Sequence, residues 1–250
     1  MMALRAVCAG LRKILILRAI GAVAILSQIP FAHGVCPAMP NPFVSIIIPS
    51  RRPDMLPDAL ESLHKQTDQD FEVLVAHKPL YVEGMDGLAE PVEKINRLAS
   101  IAQGTYFLIL PDDDILFSWS LAVWGGIARR YREPDVVYTP KWRLDAQLHA
   151  RDIWPVGEWT KEEFCRRNPV EGLTALVHRD MWNAIGGMDP AQLYYDWAFW
   201  YECFKWGPDV VREDIPLWGN RMHGDQFDSN GPLHAEALRL LRAKYPELTP

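Results

Sequence analysis

The sequence predicts an α/β fold in which a mostly parallel sheet is flanked by helices. Three observations carry this expectation. Short aliphatic and β-branched runs recur as FVSIIIP (43–49), FEVLVA (71–76) and TYFLIL (105–110), and runs of that length mark strands buried on both faces. Between them lie apolar residues at helical spacing: Leu56, Leu60 and Leu63, then Val92, Ile95, Leu98, Ala99 and Ala102. This alternation of strand and helix asks for parallel strands joined by right-handed crossovers.

Each element has its own signals. Pro49 stops the first strand, and Pro53 and Asp54 open the helix after it. Gly104 stands where a C-terminal cap of the second helix belongs. A helix near 117–132 leads to a fourth strand, DVVYT (135–139). Beyond this point the pattern loosens. Residues 140–158, with Trp142, Trp154, Pro155 and Gly157, read as a loop or excursion. WTKEEFCRR (159–167) reads as a short helix, with Thr160 as N-cap and Glu163 three residues on. LTALVH (173–178) is strand-like, and RDMWNAIGG (179–187) a helix ended by glycine. DWAFWYECFKWG (196–207) is a helix crowded with aromatic residues. VVRE and IPLWGNRMHG (210–224) read as an edge hairpin, and residues 232–244 as an amphipathic helix.

The 250 residues suffice for one large α/β domain or two small ones, and 49% hydrophobic with 23% charged residues describes a packed globular chain. The formal charge of -6 argues against nucleic acid as partner, which calls for a basic face. It leaves room for one small anion where a metal supplies positive charge locally. Cys8, Cys36, Cys165 and Cys203 form no CxxC pair and read as idle thiols. At the N-terminus, Arg5, Arg12, Lys13 and Arg18 precede the apolar AIGAVAILSQIPFA (19–32). Three readings stand: a signal peptide, a weak membrane anchor, or an extension outside the fold. The fold proper is therefore taken as 42–250, divided at 139 and 230.

In parallel sheets ligands bind outside the carboxyl ends of the strands. Those ends carry Ser50-Arg51-Arg52, His77-Lys78 and Asp112-Asp113-Asp114. Three adjacent carboxylates repel one another, and a hard divalent cation is the usual compensation. The bland reading is a solvated acidic turn. Asp196 lies among Tyr194, Tyr195, Trp197, Phe199 and Trp200. Apolar surroundings favour a proton acceptor there, and the start of a helix equally favours an N-cap. His223, in Arg221-Met222-His223, reads either as a metal or phosphate ligand or as an exposed side chain. Gly186-Gly187-Met188-Asp189 reads as a turn or as a place where substrate approaches backbone.

Taken in order, VSIIIPSRRP, LESLHKQTDQDFEVLV, NRLASIAQGTYFLILPDDDIL, VHRDMWNAIGGMDP, YYDWAFWYECFKWG and RMHGDQFDS resemble the family 2 glycosyltransferases. The resemblance runs from Val44 to about Ser229. It implies the GT-A fold, a Rossmann-like sheet followed by an irregular acceptor-side half, and an inverting transfer from a nucleotide-diphosphate sugar. On this resemblance Asp196 is the catalytic base. Pro49, Ser50, Arg52, Asp112, Asp113 and Arg221 bind the donor. Gly187, Met188 and Trp197 face the acceptor, a glycan, lipid or other hydroxyl compound. Asp112, Asp113, Asp114 and His223 hold Mn2+ or Mg2+. The implied location is the cytoplasm or the cytoplasmic face of a membrane, with a signal peptide as the competing reading.

The chain departs from the family pattern in three places. His77-Lys78 stands where the family's second strand usually ends in Asp-Asp-Gly-Ser, Pro111 replaces the first acid of a four-acid run, and Tyr195 replaces the Glu that often precedes the base. Two other functions compete. One is a metal-dependent sugar-phosphate nucleotidyltransferase, which usually needs a glycine-rich loop after the first strand. The other is a non-catalytic binding protein that keeps the fold.

Overall fold

The computed structural model describes residues 14–20, 23–27, 41–77, 90–223 and 231–248, the first two ranges as backbone. The central strands are β3 (Val44–Pro49), β4 (Phe71–Ala76) and β5 (Tyr106–Ile109). β3 lies between the other two and is parallel to both. Its side chains alternate between two cores. Ile47 packs with Leu74, Phe107 and Ile109 on one face. Val44, Ile46 and Ile48 pack with Val73, Val75, Tyr106 and Leu108 on the other. Burial on both faces explains why these strands read as unbroken apolar runs. Each fully buried aliphatic side chain contributes roughly 1.5–3 kcal/mol relative to exposure.

Helices cover both faces. α1 (Leu56–His64) and α3 (Ser120–Arg130) join the core that contains Ile46. α2 (Glu90–Ala99), α5 (Arg179–Ile185) and α6 (Tyr195–Lys205) join the core that contains Ile47. The whole sheet has eight strands in the order β11-β7-β10-β5-β3-β4-β1-β2. β7 (Val136–Tyr138) is parallel to β11 (Val210–Arg212), and β10 (Leu176–His178) runs antiparallel between β5 and β7. Residues 14–27 belong to the segment set apart at the N-terminus. There β1 (Ile14–Ile20) runs parallel to β4, and β2 (Val23–Ser27) pairs antiparallel with β1. The remainder of residues 1–40, with Cys8 and Cys36, lies outside the described residues.

Two expectations are corrected. Residues 140–158 are not merely a loop: β8 (Lys141–Leu144) and β9 (Ala150–Trp154) form a hairpin in a second sheet, of order β6-β12-β8-β9. The exposure of most of β9 removed the apolar alternation that would have announced it. Residues 210–224 are not a hairpin either. β11 joins the large sheet, whereas β12 (Trp218–Arg221) pairs with β8 and with the two-residue β6 (Ile115–Leu116). The short helix α4 (Lys161–Arg166) begins as expected, with Thr160 accepting from the Glu163 N–H at 3.2 Å. α7 (Gly231–Lys244) is the C-terminal helix. Among the described residues no helix is long and apolar enough to cross a membrane.

Gly104 plays a different part from the helix cap expected of it. α2 ends at Ala99, and the Gly104 N–H donates to Ser45 Oγ at 2.7 Å. A Cβ at Gly104 would lie 2.4 Å from the Ser45 backbone nitrogen. Gly104→Ala must therefore push β3 and the approach to β5 apart. We expect it to lower unfolding stability by about 1–3 kcal/mol, the usual range for forced overpacking, read from urea denaturation with an unchanged m-value.

Candidate functional site

The acid triplet sits where β5 leaves the sheet, and its three carboxylates diverge. Asp112 Oδ2 accepts from the backbone N–H groups of Arg51 (2.6 Å) and Arg52 (2.5 Å), in the loop after β3. Asp114 Oδ1 accepts from Asn220 Nδ2 (2.9 Å) and from the Arg221 N–H (3.1 Å), on β12. The two outer acids thus tie two neighbouring strands to the end of β5. Asp113 turns elsewhere. Its Oδ2 lies 2.8 Å from His223 Nε2 and 3.1 Å from Arg52 Nη1. Both side chains of the Asp113–His223 pair are nearly enclosed, at 12% and 8% exposed.

Asp114 is buried, and burial, followed by the adjacent Asp113 carboxylate, pushes its pKa up to about 8. Hydrogen bonds from Asn220 and Arg221 and the charge of Lys141 act in the opposite direction without prevailing. With no cation beside it, Asp114 is then largely protonated at neutral pH, and a cation placed among these acids would favour its ionised form.

Asp196 occupies the first turn of α6. The helix N-cap is Tyr194, without a side-chain capping bond, so the capping role open to Asp196 is not the one it takes. Its Oδ2 accepts from Asn168 Nδ2 at 2.9 Å. Tyr195 links the two halves of the site electrostatically. Burial raises its hydroxyl pKa most, Asp196 and Asp113 raise it further, and Arg51 and Arg52 lower it. The embedded acid and the Asp113 cluster therefore share one neighbourhood.

The other expected site residues have more structural surroundings. Pro49 is the last residue of β3 and pairs in register with Ala76. Ser50 is fully buried; its Oγ lies 3.3 Å from His77 Nδ1, and its carbonyl accepts from Lys94 Nζ at 2.7 Å. Arg221 extends its guanidinium to Asp58 Oδ2 at 2.6 Å. Gly187 adopts φ +84° beside Asn96, and Met188 is bound through both backbone groups to the Asn96 amide, at 2.9 and 2.8 Å. Trp197 is 8% exposed and donates its indole N–H to the Phe164 carbonyl at 3.1 Å. Its surroundings are those of a packing residue rather than of a platform for a sugar, and Met188 is likewise buried. Gly187 and Met188 instead border a cleft of about 280 Å3, shared with Glu202, Lys244 and Tyr245. Lys78 and residues 224–230 lie outside the described residues.

Of the residues that the resemblance assigns to a metal, the structure brings Asp113 and His223 together at 2.8 Å. Among the described residues no three His, Cys, Asp or Glu side chains converge to hold an ion. Asp113 and His223 do fit a cation that arrives with phosphate oxygens and keeps some of its waters, because such a cation needs only one or two protein ligands. Asp112 and Asp114 each use one carboxylate oxygen to accept backbone N–H groups, Asp112 through Oδ2 and Asp114 through Oδ1. Several supporting residues carry little sequence signal: Asn168, Asn220 and Lys94 are single polar residues within otherwise ordinary segments. Only Lys94 hinted at its place, as a lysine on the apolar side of a helix beside Ile95 and Leu98.

No family model matches the chain, and no curated protein does. Solved structures do match. S. aureus TarS 1-349 in complex with UDP superposes with a TM-score of 0.57 at 14% identity, covering 80% of this chain and 64% of TarS 1-349. The same protein in complex with UDP-GlcNAc gives 0.61 at 16%, covering 80% and 66%. The mannosyltransferase PcManGT from Pyrobaculum calidifontis, in complex with GDP-Man and Mn2+, gives 0.57 at 13%, covering 82% and 64%. The chain thus spans just under two thirds of the first of these structures. At such identities the likeness is one of fold: a mixed α/β unit with a mainly parallel sheet, as in GT-A glycosyltransferases.

The raised Asp114 pKa has a measurable consequence. Asp114 binds its proton up to about pH 8 when folded, against a reference value of 3.8. Between these values the folded chain holds more protons than the unfolded one, so this contribution to stability falls as pH rises through the window. With metal chelated, we expect the melting temperature of the parent to drop from pH 5 to pH 8 relative to that of Asp114→Asn. Parallel curves for the two proteins would contradict the assignment.

Proposed function

We propose that this chain transfers a sugar from a nucleotide-diphosphate sugar to an acceptor hydroxyl, with inversion at the anomeric carbon, as an enzyme of the family 2 type. One observation carries the reading. Asp113 Oδ2 stands between His223 (2.8 Å) and Arg52 (3.1 Å) at the strand ends, and Asp113 and Asp196 both act on the buried Tyr195 hydroxyl. A charge-handling cluster and a separate embedded acid are the two parts such a transfer requires. The likeness in fold to proteins solved with UDP, UDP-GlcNAc and GDP-Man supports the same reading.

The residues divide the chemistry as follows. Asp113 and His223 would hold Mn2+ or Mg2+. When bound, that cation supplies positive charge against the departing diphosphate. Arg52 adds a fixed guanidinium at the same place. The loop from Pro49 to Arg52 is held in shape by Asp112 and Lys94, so the donor meets a prearranged surface. Asp196 accepts the proton of the acceptor hydroxyl. The freed oxygen attacks the anomeric carbon opposite the leaving group, the bond from that carbon to the diphosphate oxygen breaks, and the nucleoside diphosphate departs. No covalent enzyme intermediate is needed. Gly187, Met188 and Trp197 shape the acceptor side from behind, through packing. The acceptor is a glycan, a lipid or another hydroxyl compound, and the chain acts in the cytoplasm or against the cytoplasmic face of a membrane.

The nucleotidyltransferase reading fares worse. It asks the loop after the first strand to cradle a triphosphate with free backbone N–H groups. The Arg51 and Arg52 N–H groups are already donated to Asp112.

Slow hydrolysis of the donor needs no known acceptor and gives the direct test. Across a panel of UDP- and GDP-sugars with Mn2+, we expect nucleoside diphosphate release that chelation suppresses. Asp113→Ala and Asp196→Asn should each lower the rate by about 10²-fold or more, the scale of a lost charge-stabilising or proton-accepting group. Parent-like rates in either variant would remove that residue from the mechanism, and pyrophosphate release would favour nucleotidyl transfer.

A further inference from the structure

We infer that Asn168 is the positioning residue of the site: its amide fixes the Asp196 carboxylate and favours its ionised form. This rests on the reading of Asp196 as proton acceptor and adds to it a residue from a different part of the chain. Asn168 follows α4, 28 positions before Asp196, and is 9% exposed.

The hydrogen bonds settle which way the amide faces. Asn168 Oδ1 accepts from the Val170 N–H at 3.0 Å, and Nδ2 donates to Asp196 Oδ2 at 2.9 Å. Reversing the amide would set two donors against each other at Val170 and two acceptors against each other at Asp196. The Asn168 carbonyl also accepts from the Glu171 N–H at 3.2 Å, which closes the turn on itself. Arg167 steadies the same segment through Glu163 (2.6 Å) and Glu171 (2.8 Å). Asp196 therefore meets a donor whose position the surrounding turn has already fixed.

Two effects follow from this geometry. A hydrogen bond to a carboxylate favours the charged form, which is the form that accepts a proton. Holding Oδ2 also leaves the carboxylate less freedom to rotate, so its other oxygen keeps one direction. Several charged groups among the described residues bear on this neighbourhood. Tyr195 adjoins Asp196 on α6; Asp113, Arg51 and Arg52 act on that same tyrosine from the strand ends; Arg167, Glu163 and Glu171 are bound to one another in the segment that supplies Asn168.

Asn168→Asp separates positioning from folding. It keeps the acceptor for the Val170 N–H, with nearly the same shape, and turns the donor facing Asp196 into an acceptor. Asn168→Ala removes both and carries the test should the aspartate variant not fold. In the full chain, with aspartate carboxyl carbons labelled and the Asp196 resonance assigned from Asp196→Asn, NMR titration reads the carboxyl directly. We expect the Asp196 midpoint to rise by about one pH unit in Asn168→Ala. In Asn168→Asp the two carboxyls should titrate as a coupled pair, with one step above the parent value. The acidic limb of donor hydrolysis should move in the same direction, with donor KM within about twofold of the parent and kcat lowered. A midpoint unchanged in Asn168→Ala overturns the role of Asn168 and leaves Asp196 in place. A midpoint that moves while Asp196→Asn hydrolyses donor at the parent rate removes Asp196 as proton acceptor, and the positioning role falls with it.

Discussion

The geometry of this site depends on backbone donors answering carboxylates. Three acids in a row cannot all face one solvent-poor cleft, because their mutual repulsion and desolvation would destabilise the fold. The chain resolves this by directing Asp112 to the N–H groups of Arg51 and Arg52, and Asp114 to the N–H of Arg221 and the amide of Asn220. The two outer acids act as clamps. They hold the loop after β3 and the strand β12 against the tip of β5, and they leave Asp113 facing the space between. The arrangement gives Asp113 two cationic or protonatable neighbours, Arg52 and His223, each delivered by a strand that an outer acid has anchored.

The second sheet follows from the same clamps. β6 is the two residues directly after the triplet, and β12 pairs with it while its Arg221 N–H reaches Asp114. His223, two residues past the end of β12, inherits its place from that pairing. Behind the other half of the site, the core residues Phe164, Trp197, Trp200 and Tyr201 set the start of α6 against the segment around Asn168. The large rings of α6 build this core and seat the helix whose first turn carries Asp196.

The first hundred residues of the fold were legible because burial on both faces leaves a plain signature: FVSIIIP, FEVLVA and TYFLIL admit few other readings. The acidic triplet at the third strand end and the embedded Asp196 stood out for the same reason, charge where apolar residues prevail. What remained hidden depends on pairing across long separations. β8 and β9 are partly exposed and lack clean alternation. β12 lies in a different sheet from β11, a division that no local pattern records. The different duties of Asp112, Asp113 and Asp114 are set by partners 60 to 110 positions away. Trp197 was legible as an aromatic beside an acid, but whether its ring faces substrate or core is decided by the Phe164 carbonyl.

The interleaving of the halves limits how this chain can be recombined. β10, from the second half, is inserted between β5 and β7 of the first, and Asn96 on α2 clasps the backbone of Met188 through both of its amide groups. A chimaera joined near residue 139 would therefore graft more than a peripheral half. It would replace an interior strand of the large sheet and offer Asn96 a foreign loop. Substitution is more readily tolerated within the β8–β9 hairpin, whose exposed strand β9 forms the outer edge of the small sheet.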